Sequence, residues 1–354
     1  MRPSFQPRLV NPSFGDPSLY IPFSYRGKAI LFDAGDLAPL SNRDLLKIDH
    51  IFITHTHMDH FSGFDRILRL CLGRNKILHL YGPDNFLYNL EGKLNSYQWN
   101  LVDNFTYQLV IKATEFTGNQ RTTRIYHCRD EFAANGKEIN APLSDILLET
   151  PSVSVTAAIL DHQIPCLGLA LKERFHINII KPALTELGLI PGPWLKNFKE
   201  YLFLDRPPDT VFEVPAQYTQ ASSRAFSLGE LADRIVRITT GQKIAYITDA
   251  GFTSENIARI KTLAEGVNHL FIEAAFLDED RGVAAEKYHL TARQAGYLAA
   301  VCGVERLTVF HFSPRYTDRY DSIYKEAHTA FCQYRLSDNV FGSAASGTRG
   351  NPPE

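Results

Sequence analysis

The chain has 354 residues, 44% hydrophobic, 12% aromatic and 21% charged, an ordinary globular composition with apolar material for one large domain or two modest ones. A net charge of −2 and a pI near 6.6 exclude the global basic field of proteins that coat nucleic acid nonspecifically, so any nucleic-acid contact must be local. The opening segment has no apolar signal-peptide core, and nowhere do roughly 18 apolar residues run together, so neither a secretion signal nor a membrane span is expected. Cys71, Cys128, Cys166, Cys302 and Cys332 are odd in number and free of any C-x-x-C pair, which reads as reduced thiols in a soluble, cytoplasmic protein.

In chain order, LYIPFSY and KAILFDAGD predict two strands joined by the tight turn RGK, followed by a strand HIFIT, a helix from about 61 to 72 and a strand KILHLYGP closed by Gly-Pro. The stretch from about 84 to 150 mixes aromatic, Asn-rich and polar pieces and reads as a partly helical, partly stranded insertion. SVSVTAAILDH is a β-branched strand, and PCLGLALKE a second strand after a turn. KPALTELGLIPGPWLKNFKEYL holds two short helical patterns with a Gly/Pro break, and a second insertion spans about 203 to 240. Then strand and helix alternate: KIAYITDAG, a helix from about 254, HLFIEAAF, TARQAGYLAAVCG, RLTVFHFSP and a helix from about 318 to 334. This order predicts an α/β layered sandwich. The tail GSAASGTRGNPPE is small and polar and is expected to be disordered.

THTHMDH places His55, His57, Asp59 and His60 within six residues at the end of an apolar strand. Residues two apart in an extended chain point to one side, so His55 and His57 can address one metal while Asp59 and His60 turn toward a second. Imidazole and carboxylate suit zinc or a similar borderline ion. Four side chains cannot complete two coordination shells, which predicts further ligands at other strand ends. Asp161-His162, Asp249 and His311 each follow an apolar strand and precede a turn, where an open α/β sheet displays its chemistry. A solitary His or Asp at a strand end is more often solvated or hydrogen-bonded than ligating, and His50, His79, His127, His176, His269 and His328 take that reading.

The order of these residues resembles the metallo-β-lactamase superfamily. The resemblance implies an αββα four-layer sandwich with insertions and two zinc ions, with manganese or iron(II) as alternatives. It assigns His55, His57 and His162 to one ion and Asp59, His60 and His311 to the other, with Asp249 between them. FHFSPRY at Phe310 to Tyr316, LYGP at Leu80 to Pro83, DHQIPCLGLALKE from Asp161, ALTELGLIPGPWL from Ala183 and the FIEAAF to EKYHLTARQAG region narrow it to ribonuclease Z, the endonuclease that matures tRNA 3′ ends. On that resemblance residues 1–341 form a single hydrolase domain with insertions at about 84–150 and 203–240, an arm-like helical segment over about 172–202, and a tail at 342–354. Departures are NPSFGDPSLY where the family has a Gly-Thr-rich loop, GDLAP after the early Asp-x-Gly, and Ile272 and Leu290 where it has His and Ser.

The implied chemistry is attack by a metal-activated hydroxide, since paired ions lower the pKa of a shared water and clamp phosphoryl oxygens. Asp59 is then ligand and proton acceptor, and His289, oriented by Glu273, is the general acid for the leaving 3′-oxygen. The plainer reading of that pair is a surface ion pair. Ser313 and Arg315 could hold a phosphate, Arg through its planar fork, or form a capped turn with an exposed Arg. The expected partner is RNA, a tRNA precursor, or a small phosphodiester, and homodimers are common among such relatives. Two other functions stay open: the same fold hydrolysing a small phosphodiester, cyclic nucleotide, ester or lactone, and a metal-bearing binding protein without turnover.

Overall fold

A computed structural model describes residues 4–24, 27–118, 120–134, 138–141, 144–220 and 222–341; the tail from 342 lies outside them. The chain divides into two compact units, one of residues 5–147, 155–171 and 243–354, the other of residues 1–4, 148–154 and 172–242.

The larger unit holds one whole sheet and all but the ends of three strands of a second. The first runs Arg8–Leu9, Leu19–Pro22, Ala29–Phe32, Ile48–Phe52, Lys76–Gly82, Leu109–Phe116, Arg121–His127, Ile139–Ala141, each beside the next. The second has the order Arg306–Phe310, His269–Glu273, Lys243–Ile247, Pro165–Glu173, Val153–Asp161, Ile146–Glu149. Side chains alternate faces along a strand, so each sheet has an outer, helix-covered side and an inner one. Leu31, Ile51, Leu80 and Ile111 join a buried cluster with Phe64, Ile67 and Leu90 of the helices Phe64–Cys71 and Phe86–Leu94. Ala245, Leu270 and Val309 do the same against Ile260, Leu298 and Ile323 of the helices Ser254–Ala264, Ala292–Val301 and Tyr320–Phe341. Between the sheets lies an aromatic layer in which Phe32 meets Phe52 and Tyr246, and Tyr246 stacks on Phe310 at 5.1 Å. This is the expected αββα arrangement.

Two local features differ from the sequence reading. Residues 84–150 are partly helical and partly stranded as expected, with the helix Phe86–Leu94 and four strands, but three of the strands extend the first sheet instead of standing apart as an insertion: Leu109–Phe116 pairs parallel to Lys76–Gly82, and Arg121–His127 antiparallel to it in turn. The Thr and charged residues of these strands mask their period, although the first strand buries Leu109, Ile111 and Ala113 in alternation. The helix expected over 61–72 begins earlier, at Met58, and breaks at Ser62–Gly63. There the Gly63 amide donates to Ala34 O, and the Ala34 amide to His60 O, both at 2.8 Å, stitching the His57–His60 turn onto the loop after Phe32.

In the smaller unit the helices Lys181–Glu186, Trp194–Phe203 and Leu228–Ile235 enclose Leu184, Trp194, Phe198, Phe212 and Leu231 with the hairpin Val211–Val214/Arg224–Ser227. The segments expected separately as an arm and an insertion are thus parts of one small core.

A Cβ on Gly63 would collide with the Gly35 carbonyl oxygen and the Leu37 side chain, whereas one on Gly92 in the helix Phe86–Leu94 meets nothing. Gly63→Ala should lower the unfolding free energy by about 1–3 kcal/mol and Gly92→Ala should leave it unchanged or raise it by about 0.5–1 kcal/mol, as read by denaturant titration.

Candidate metal centre

The site is assembled from strand ends of the larger unit. The three parallel strands of the second sheet align Ile247 with Ile272 and Glu273 with Phe310, so Asp249, Glu273 and His311 leave the sheet at one level. Asp249 and His311 sit in left-handed backbone, φ 45° and 61°, a conformation costly for residues other than glycine and typical of sites that over-determine it.

The side chains converge in three sets whose donor atoms lie within 4.8 Å of one another: His55, His57, His162 and Asp249; Asp59, His60 and His311; and Asp249, Glu273, His289 and His311. Asp249 touches both of the first two. Its Oδ2 is 3.4 Å from His55 Nε2 and His60 Nε2 and 3.5 Å from His162 Nε2, and its Oδ1 is 2.9 Å from His311 Nδ1.

These contacts fit a cation better than a hydrogen-bond network. His60 Nε2 and His311 Nδ1 are buried with no hydrogen-bond partner, even though the latter is 2.9 Å from a carboxylate oxygen; the atoms face a shared point rather than each other. Burial drives the His55 pKa down to about 2, with His60 adding to the fall, and it lowers His57 too, whereas at His60 and His311 the Asp249 carboxylate outweighs burial and raises the pKa. Burial opposes ionisation of Asp59 and Asp249, yet His311 and His60 hold both well below the usual carboxylate range. Buried carboxylates require compensating positive charge, which a divalent ion supplies at the same point.

The supports around this cluster include one residue to which no role was given on sequence. Asp33, fully buried, accepts from His60 Nδ1 at 2.9 Å, from the Thr54 amide at 2.7 Å and Oγ1 at 3.0 Å, and from the Tyr246 hydroxyl at 3.1 Å. It ends an apolar strand as Asp249 does, and that was its only signal. His162 Nδ1 donates to Tyr288 O at 2.8 Å, which turns its Nε2 toward Asp249. Asn89 Nδ2 donates to Thr56 Oγ1 at 2.6 Å, anchoring the turn between His55 and His57.

Glu273 and His289 are brought together, and not as a surface ion pair. Glu273 is completely buried, its Oε2 2.8 Å from His289 Nδ1 and its Oε1 accepting from the amides of Ala250 and Leu290. His289, Asp59 and His57 line an open cleft of about 500 Å³. Ser313 and Arg315 are not brought there. Ser313 opens a turn, its carbonyl accepting from the Tyr316 amide, and Arg315 pairs with Asp280 at 3.2 Å across the ring of Phe276. Arg315 remains half-exposed beside Asp280, and the Ser313 side chain makes no cap hydrogen bond.

A family model described as Beta-lactamase superfamily domain matches residues 9–129 and 210–312, a span containing every residue of the convergent sets except His162. Among solved structures, a metallo-beta-lactamase fold protein, YhfI from Bacillus subtilis, aligns with a TM-score of 0.54 at 14% identity, covering 92% of this chain and 94% of that one. Unliganded yeast PDE1 aligns with a TM-score of 0.53 at 10% identity, covering 95% and 96%. Both show the fold. A protein of Deinococcus radiodurans named Ribonuclease Z is 30% identical over 294 residues, 82% of this chain and 83% of its own. One of Thermococcus sibiricus with the same name is 28% identical over 326 residues, 89% and 86%. The chain belongs to the ribonuclease Z family within the beta-lactamase superfamily, and is a metal-dependent hydrolase.

Asp33→Asn should weaken metal binding by about 10- to 100-fold with little change in the far-ultraviolet dichroism, as measured by competition with a chelator; unchanged affinity would show that Asp33 does not orient His60 for the ion.

Proposed function

We propose that the chain is an endoribonuclease that removes the 3′ trailer of tRNA precursors, with two divalent cations, zinc foremost. His55, His57 and His162 would hold one ion and Asp59, His60 and His311 the other, with Asp249 shared. The observation that carries this reading is the pairing of buried Glu273 with the cleft-lining His289 at the edge of the convergent ligands. It supplies the acid that an alkoxide leaving group needs and that metal binding alone does not require. The similarity to relatives named Ribonuclease Z over most of the chain supports the RNA substrate. The five free thiols fit a cytoplasmic location.

When bound, the ions supply an activated water and charge stabilisation at the phosphoryl oxygens. Asp59, held ionised and 40% exposed in its side chain, can accept the proton of that water from the cleft. On the opposite side of the phosphorus His289 works as the acid. Its burial would favour the neutral ring, but Glu273 overcomes this and raises its pKa, and with Nδ1 engaged by Glu273 the Nε2 proton is the one available for the departing 3′-oxygen. Glu273 is a positioning residue; its two backbone donors fix the carboxylate so that only the ring can adjust.

The decisive comparison uses a tRNA precursor and bis(p-nitrophenyl) phosphate, whose p-nitrophenolate departs without needing a proton. On the precursor, His289→Ala should lose about 10²- to 10⁴-fold in kcat and far less on the small diester, while Asp59→Ala should lose most activity on both. A wild type that hydrolyses the small diester and leaves the precursor intact would contradict the RNA reading and favour a small phosphodiester as substrate.

A further inference from the structure

The cleft contains a cation that neither the metal ligands nor the acid–base pair accounts for. Lys287 lines it beside His289 and His162, is exposed, and its side chain has no ion pair or hydrogen bond among the described residues. Its basic neighbours differ. Arg293, Arg315 and Arg319 each pair with one of the acids Asp278, Asp280 and Glu279, and none of them lines the cleft. Lys287 is the sole Lys or Arg in the lining, whose other charged members outside the histidines, Asp59, Asp249 and Glu286, are acidic.

Its backbone is also tied to the reacting centre. Lys287 follows the short helix Arg281–Glu286, and the next residue, Tyr288, is in left-handed backbone with φ 55°. That reversal lets Tyr288 O hold His162 Nδ1 at 2.8 Å and delivers His289 to Glu273. The same few residues therefore fix a metal-ligand candidate, the proton donor and the backbone from which the Lys287 side chain extends relative to one another. A strand of RNA entering this cleft would place its scissile phosphate among the histidines and a neighbouring phosphate against the wall of Glu286 and Lys287. Without the lysine that wall is repulsive.

We propose that the Lys287 ammonium binds the RNA backbone phosphate adjoining the scissile one on the leaving-group side, selecting a polynucleotide over an isolated phosphodiester. The assignment rests on the endoribonuclease reading. It also answers the charge problem set by composition: residues 172–242 carry nine basic and eight acidic side chains, so that unit offers no strong positive field and contact near the site has to be made locally.

The test uses the metal-loaded full chain with Lys287→Ala and Lys287→Arg, on a tRNA precursor and on bis(p-nitrophenyl) phosphate, the RNA assay being repeated over a salt series. Loss of one charge-assisted contact should lower kcat/KM on RNA about tenfold in Lys287→Ala, mainly through KM, with the small diester losing far less. The slope of log kcat/KM against log salt should become shallower by about 0.7, and Lys287→Arg should recover both rate and slope. An unchanged salt slope in Lys287→Ala, or equal losses on both substrates, overturns the assignment while the wild type still cuts RNA. A wild type that leaves the precursor intact removes the endoribonuclease reading and this assignment with it.

Discussion

The arrangement depends on one buried carboxylate. Asp249 is 2% exposed, strained in its backbone, and lies within 3.5 Å of ring nitrogens from His55, His60, His162 and His311. An isolated buried charge of this kind would cost several kcal/mol. It persists because four histidines from three separate parts of the chain are driven to the same point by sheet register. The parallel pairing that levels Ile247 with Ile272, and Glu273 with Phe310, delivers Asp249, Glu273 and His311 together. The first sheet brings His55 to His60 to meet them, and Asp33 with Tyr246 joins the two sheets immediately beneath.

What the sequence made legible follows the range of the interaction. THTHMDH could be read directly, since four ligand-type side chains in six residues have no ordinary packing explanation. His162, Asp249 and His311 could be named from their strand-end positions once that cluster demanded partners. Asp33 carries the same mark, but nothing local distinguishes a supporting carboxylate from a solvated one; its role arises from Thr54, His60 and Tyr246, up to 213 positions away. The break at Gly63 was hidden for a related reason. It is set by the approach of the Gly35 carbonyl, a tertiary contact without a local periodic signature.

Ser313 and Arg315 show the converse. Their motif resembles a phosphate site, but residue type does not give direction, and in this structure Arg315 pairs with Asp280, on a different loop. Lys287 had no motif to mark it and became visible only through the lining of the cleft. Metal ligation leaves a dense local signature, because several specific side chains must converge on one atom. Substrate contact needs a single charge in the right place, which almost any surface sequence can supply.

We propose that Asp249 is shared between two ions. The sharing is tested most directly by counting metal: the protein is stripped with chelator, titrated with zinc, dialysed and analysed for ions per chain, wild type beside Asp249→Ala. Two tightly held equivalents in the wild type, falling to one or none in the variant with its fold retained by circular dichroism, is the expected result. Two equivalents retained in Asp249→Ala, or only one in the wild type, would contradict a shared carboxylate and the dinuclear centre built on it.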